Sequence, residues 1–440
     1  MKVTFYHNAL MTIETDRVKI LTDPWFISGA FDGSWYHWPP LRTKPEDIKD
    51  YTHLYISHIH SDHCDLASMR RLIRKDVPVI ILKNEDVFLR RSIQSCGFSN
   101  FIEIENGQSA QIANDVQITM YSAFSPSVFI ENASVPNVVD SSLVVTDGKH
   151  AVFNANDNIP SPKDCEKIRE IHGPIDIAMM PYGGVGPYPS SYANLTLVDK
   201  KKIAKLKCKK YLERLIENVR ALQPKITVPC AGQMILGGRQ SHKNAIIGMP
   251  EPQDAYDNLV DVNLPAALLY EGDAIDAEKL TVTRCLSNRN GQERNKLLAA
   301  YLKDISKDKY WWEEAFKIPS DKRVQPMLLL QNARNRMWTY QEKYNFKKPW
   351  HVAIRIEENP DTVYVFYLAE PGKVEKIQIK ELFNGNMKFL MATMPYGYLI
   401  ACLTRHCHWN NGYHGCHIEW YRRPDDYLPE IQILLSFFHL

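Results

Sequence analysis

Ser57-His58-Ile59-His60-Ser61-Asp62-His63 packs three imidazoles and a carboxylate into the six positions from His58 to His63. The segment follows directly on His53-Leu54-Tyr55-Ile56, an apolar run with the pattern of a strand. In extended backbone alternate residues face the same way, so His58 and His60 share a side. The turn after them brings Asp62 and His63 round to a neighbouring point. Imidazole nitrogen with carboxylate oxygen suits Zn, Fe(II) or Mn, and the absence of a thiolate argues against a purely structural zinc knot. A histidine-rich loop can arise by accident, but four ligand-type side chains in this order favour a metal site.

Elements able to position such a loop surround it. Val3–Tyr6, Leu10–Glu14, Val18–Leu21, Leu54–Ile56, Val79–Leu82, Val116–Tyr121, Leu143–Thr146 and Ala151–Asn154 have the pattern of short strands, with helices interleaved at Leu66–Arg74 and Val87–Cys96. A helix over Lys163–His172, a strand at Ile175–Met180, a long helix over Leu197–Leu222 and a strand at Ile226–Val228 follow. This order predicts an α/β fold, an αβ/βα sandwich of two mixed sheets with helices outside and the metal-bearing loops along one edge. Near residue 285 the character changes. Polar helices at Asn290–Ile305 and Val324–Tyr344 lead to strands at Val352–Ile356, Thr362–Leu368 and Val374–Ile379, forming a meander. A helical stretch around Leu382–Met394 and a Trp/Tyr/His-rich tail end the chain. The expectation is a catalytic domain over 1–285 and a C-terminal α+β region over 286–440 packed on it, since nothing Gly/Ser-rich separates them.

With 440 residues and 45% apolar content, the chain can bury a large core. A formal net charge of only +2 favours neither nucleic acid nor an acidic membrane as main partner. Nine scattered cysteines fit a reducing compartment. An N-terminus that alternates like a strand, together with the lack of any run of about 20 apolar residues, predicts no membrane association and a cytoplasmic location.

The motif His-x-His-x-Asp-His is similar to that of the metallo-β-lactamase superfamily. The resemblance implies that His58 and His60 serve one metal, that Asp62 and His63 serve a second, and that a bridging carboxylate follows a later strand. Asp157, after Ala151–Asn154, is the candidate; otherwise it caps the helix starting near Ser161. Members usually add a third histidine before that carboxylate, but Tyr121–Ser127 contains none. His242 is the candidate for a last histidine. His7 sits where related lactonases and phosphodiesterases carry a Gly-His-Ala segment and would support a ligand from behind. His37, between Trp35 and Trp38, would line the pocket or simply pack among aromatics. The expected catalytic set is thus Asp62, His37 and His7, around one or two divalent ions, zinc first, with iron or manganese as alternatives.

Further segments resemble one branch, the catalytic part of CMP-N-acetylneuraminate hydroxylase. These are Thr22-Asp23-Pro24-Trp25, Trp35–Pro40, Asn154–Asp157, Leu222-Gln223-Pro224-Lys225, Pro229-Cys230-Ala231-Gly232 and Arg422–Tyr427. That family carries a Rieske-type iron–sulfur domain ahead of the catalytic part. The chain starts at the first sandwich strand, so the domain is expected to be absent.

Three other features stand apart from the motif. The Gly-rich stretch Tyr182–Pro187 would pass near the site as a loop without being a nucleotide-binding fingerprint. The basic run Lys200, Lys201, Lys202, Lys205, Lys207, Lys209, Lys210 is first a solvated helix face, with Ile203 and Leu206 on its other side. Its lesser reading is a local attraction for phosphate, in a nucleotide sugar or a nucleic-acid strand. His406-Cys407-His408 with His414-Gly415-Cys416-His417 offers a structural zinc site as an alternative to plain packing. The leading functional expectation is a metal-dependent hydrolase of a phosphoester, lactone or similar small polar substrate, using a metal-activated hydroxide. The alternatives are an iron-dependent hydroxylase of a nucleotide sugar or related metabolite fed by an external electron donor, and a binding or sensor protein that keeps the fold. The aromatic C-terminal region is expected to cover the pocket, pair two copies or take a protein partner.

Overall fold

The computed structural model describes residues 1–84, 87–124, 140–184, 186–285, 291–317 and 326–440, with the side chains of 291–293 left aside. Ser125–Ser127, Val185, the start of the helix expected from Asn290, the start of the one expected from Val324, and the 285/286 boundary itself touch or lie outside these residues.

Strands whose two faces are both apolar must be covered on both sides, and this builds four layers. An eight-stranded sheet runs in the order Val282–Thr283, Ala274–Asp276, Lys2–His7, Leu10–Glu14, Lys19–Thr22, His53–Tyr55, Val79–Leu82, Phe101–Ile104. Its last four strands are parallel to one another. A six-stranded sheet runs Ile226–Cys230, Ile177–Pro181, Ala151–Asn154, Ser141–Thr146, Val116–Ser122, Ser109–Ala113. Alternation divides the side chains between layers. Phe5, Ile13, Ile20, Tyr55 and Ile80 point inward to meet Ile118, Leu143, Val145, Val152 and Met179 of the other sheet. Leu21, Leu54, Val79 and Ile81 point outward beneath Met69 and Ile93, which sit on helices Leu66–Arg71 and Phe88–Gln94. On the far side, Val144, Phe153, Ala178 and Met180 are covered by Cys165 and Ile168 of Pro162–His172 and by Leu215, Val219 and Leu222 of Leu197–Leu222. The expected αβ/βα sandwich is the observed one. The strands at Ala274–Asp276 and Val282–Thr283, which extend the first sheet beyond the N-terminal strand, escaped the sequence reading.

A five-stranded sheet follows, in the order Glu375–Gln378, Thr362–Tyr367, His351–Ile356, Phe389–Met394, Glu419–Arg423. Here one expectation fails. Leu382–Met394 is not one helical stretch: the helix is Ile379–Asn384, and Phe389–Met394 pairs in parallel with His351–Ile356. The Leu/Met-rich run FLMATM has helical propensity, but its central place in the sheet buries it on both faces and overrides that preference. The C-terminal part is fastened to the sandwich by buried polar ties. Lys243 Nζ donates to Ser191 Oγ (2.8 Å) and Cys416 O (2.9 Å) and pairs with Glu419. Tyr310 Oη donates to Gly237 O (2.7 Å), and Trp420 exchanges backbone hydrogen bonds with Ser191 and Ala193. All nine cysteines are free, and no helix among the described residues is long and apolar enough to cross a membrane.

Candidate metal centre

Parallel strands leave their carboxyl ends on one edge, where side chains from several loops can meet. The loop His58–His63 leaves the carboxyl end of His53–Tyr55, Asp23 that of Lys19–Thr22, and Asp157 that of Ala151–Asn154. Asp140 precedes Ser141–Thr146, which runs antiparallel to Ala151–Asn154, so it reaches the same edge from the other direction. Asn156, with φ of 53°, makes the bend before Asp157 and donates through Nδ2 to Tyr55 Oη at 3.3 Å.

Two groups of donors lie close enough to share an ion: His58, His60 and Asp140, and His58, His63 and Asp157, with ligand atoms within 4.8 Å of one another in each. His63 Nε2 lies 3.4 Å from Asp157 and 3.5 Å from Asp62. Its Nδ1 lies 2.9 Å from Asp23 Oδ2, and Asp23 also accepts from the Ser57 amide and hydroxyl, each at 2.7 Å. A carboxylate on Nδ1 fixes the proton there and leaves Nε2 facing the cluster, the arrangement that supports metal-bound imidazoles. Both Asp62 oxygens and His63 Nε2 are buried without a hydrogen-bond partner among the described residues. Buried orphan donors and acceptors are costly, and a cation at this edge would satisfy them.

Electrostatics point the same way. Burial, and behind it the charge of His63, pushes the His58 imidazole well below its usual range. Burial and then His58 and His414 do the same to His60. Burial opposes a charge on His63 too, but Asp62, Asp157 and Asp23 outweigh it and hold His63 well above 6.5. Burial pushes Asp62 up to about 7 against the pull of His63, and burial with Asp157 beside it pushes Asp140 up to about 7. Burial acts upward on Asp157 as well, yet His63 prevails and its carboxyl is lowered. Without a cation the edge therefore stores protons that metal ligands must give up.

The structure thus brings together His58, His60, Asp62, His63 and Asp157. Asp157 does not cap the following helix; Ser161 does, accepting from the Asp164 amide. The other three candidates have other partners. His242 is a correction. It is exposed, its Nδ1 turned to Arg239 O at 2.9 Å, because the chain after Cys230 enters the strand Met234–Leu236 and then the 3-10 segment Gly238–Ile246. His37 has its ring nitrogens at 2.9 Å from Ser28 Oγ and 3.0 Å from Trp25 O, so it braces a turn among aromatic neighbours. His7 packs edge-on against that ring, with centroids 4.6 Å apart, and burial holds it neutral. The tail histidines do not assemble a zinc knot: His417 Nε2 meets Phe31 O (2.8 Å), His406 meets Thr404, and His408 caps Asn410.

Four contributors were missed: Asp23, Asp140, Asn410 and His414. Asp140 lies with its carboxylate beside His58 and His60, and its one sequence signal is its place just ahead of a strand on this edge. Asn410 and His414 come from the C-terminal region. The Asn410 carboxamide nitrogen lies 2.8 Å from His60 Nε2, and the His414 ring lies 5.0 Å from that of His60. Nothing local in sequence could join positions 350 residues apart.

Residues 18–230 match the model of a beta-lactamase superfamily domain. Over 196 residues the chain is 33% identical to a Mycolicibacterium smegmatis protein named for a Rieske 2Fe-2S iron–sulfur centre, covering 44% of this chain and 36% of that one. It is 24% identical over 245 residues to the cytidine monophosphate-N-acetylneuraminic acid hydroxylase of Pongo pygmaeus, covering 53% and 39%. The chain therefore spans about two-fifths of the length of these curated relatives. Among solved structures, the isothiocyanate hydrolase from Delia radicum gut bacteria matches with a TM-score of 0.45 and 15% identity, covering 63% of this chain and 99% of that one.

Proposed function

Residues 18–230 match the model of a beta-lactamase superfamily domain, and on that premise we propose that the chain is a metal-dependent enzyme of this fold working as a non-haem iron hydroxylase. The observation that carries the reading is Asp140. With His58 and His60 it makes a two-histidine, one-carboxylate face, the donor set typical of iron(II) oxygenases, where a hydrolytic zinc site more often has three imidazoles. The relatives named for hydroxylase activity and for a Rieske centre support it. His58, His60 and Asp140 would hold one ion, and Asp62, His63 and Asp157 the other. Iron so held supplies dioxygen activation: R–H + O₂ + 2 e⁻ + 2 H⁺ gives R–OH + H₂O, the electrons coming from an iron–sulfur or similar one-electron carrier. The chain's own residues contribute order: Asp23 and Ser57 lock the His63 ring, and Asn410 steadies His60.

Hydrolysis is the second reading, favoured by the dinuclear spread of donors, since paired ions also clamp phosphoesters. Metal analysis of protein grown without supplement, followed by oxygen uptake with a chemical reductant, separates the two. Near-stoichiometric iron and reductant-dependent O₂ consumption, both lost in His58→Ala, are expected. Zinc, with anaerobic cleavage of a phosphoester or lactone panel, would overturn the hydroxylase.

A further inference from the structure

The basic run on the helix Leu197–Leu222 is more than a solvated face. Lys200 Nζ donates to Ser190 O (2.8 Å), and Lys207 Nζ donates to Tyr188 O (3.0 Å) and Ile247 O (3.1 Å), so these two fasten neighbouring loops. Lys201, Lys202, Lys205, Lys209 and Lys210 are exposed, Lys210 at the rim of a groove. Lys207, Lys210, Tyr211 and Arg214 are spaced i, i+3, i+4, i+7, which puts them on one helix face. With Tyr188 and Leu206 they line a groove of about 560 Å³, the size of a small-molecule site.

The groove gathers cations without an anion. The Arg214 guanidinium is half-buried and lies 5.1 Å from the Tyr211 ring centroid, and no carboxylate pairs with it or with Lys210 among the described residues. Lys207 meets only neutral carbonyls. The one ion pair on this stretch, Lys209–Glu213 at 3.5 Å, lies on the exposed side. Burial lowers Lys207 to about 8 and Arg214 below its usual range. Arg214 is thus the one groove cation among the described residues that is both half-buried and unpaired, a costly state that a bidentate oxyanion relieves best at an arginine, with the exposed Lys210 close by to add charge.

Tyr211 joins the groove to the loop that follows the strand Ile177–Pro181. A Cβ added to Gly184, just past the strand Ile177–Pro181, would fall 2.9 Å from Tyr211 Oη, so that loop passes directly over the ring. Asp157 lies near enough for its charge to act on the Tyr211 hydroxyl, behind burial and Arg214.

We propose that Arg214 and Lys210 form an anion subsite, which holds a phosphate or carboxylate of the substrate while the reacting carbon lies at the metal edge. The proposal rests on the reading of that edge as the reaction centre. Calorimetric titration of phenyl phosphate and of benzoate into the metal-loaded full chain at fixed ionic strength tests it, and the probe that binds tells phosphate from carboxylate. Arg214→Gln should weaken that probe about tenfold or more and Lys210→Gln several-fold. Chelator-stripped wild type should bind it as the loaded protein does. Equal binding by wild type and both variants, loss of binding on stripping the metal, or no binding of either probe would overturn the subsite. Because the readout needs neither iron nor oxygen, a failed hydroxylase reading would leave this result standing, and the converse also holds.

Discussion

At the scale of single residues, under the proposed function the identity of one donor decides which metal the edge prefers. Asp140 stands where an imidazole would make metal one a three-histidine site, and a carboxylate there favours a harder, redox-active ion. Asp140→His should keep the protein folded and metallated but exchange iron for zinc. Elemental analysis of the two proteins grown side by side checks this, and unchanged iron would show that Asp140 is not a ligand. Protons should compete with the metal. Asp62 and Asp140, both raised to about 7, and His63, held above 6.5, carry protons at neutral pH that coordination expels. Metal affinity should therefore fall as pH drops from 8 to 6, with roughly one to three protons released per loading event. Calorimetry in buffers of differing ionisation enthalpy reads the number directly, and zero release would contradict the site. These residue-scale details were only half legible: the short-range motif announced His58 to His63, whereas Asp140 and Asp23 are ordinary aspartates until folding brings them to the edge.

At the scale of elements, what could be read was what local pattern controls. The helix Leu197–Leu222 and strands such as Leu10–Glu14 appear with the expected bounds, because long amphipathic or tightly alternating runs leave little for tertiary structure to decide. Phe389–Met394 was misread because its partner, His351–Ile356, lies far back in the chain and neither run advertises the other. The same limit hid the helix Trp409–His414, which brings Asn410 to His60. A hydrogen bond to the outer nitrogen of a ligating imidazole fixes its orientation and typically carries 10–100-fold in metal affinity. Asn410→Ala should weaken metal binding by about that factor while thermal stability changes little, because the side chain is only partly buried. Competition against a chromophoric chelator measures the affinity, and Asn410→Gln, which keeps the carboxamide donor, should recover part of it. Unaltered affinity in Asn410→Ala would reduce the contact to packing.

At the scale of the whole molecule, the metal edge lies between the sandwich and the C-terminal region and belongs to both. Tyr398 Oη donates to Asp32 Oδ2 at 2.7 Å and Asn411 Nδ2 to Asp32 Oδ1 at 3.0 Å, fastening the turn before Trp35, while the Trp35 indole donates to His414 O at 2.9 Å. Lys243 sits 2% exposed between Ser191, Cys416 and Glu419, so a buried and paired ammonium ties the two parts together. Domains joined by small polar interfaces unfold and move separately, whereas a seam this buried couples them. Scanning calorimetry of the full chain should therefore show one transition with calorimetric and van't Hoff enthalpies in agreement. Lys243→Met removes the charge and its partners' donor together, so it should lower Tm without splitting the peak if the apolar seam around Trp35 and Cys416 suffices for coupling. Two resolved transitions in the wild type would mean that the C-terminal region docks as a separate body. Asn410 would then be a movable contact, and metal affinity would fall at the first transition, well before the sandwich unfolds.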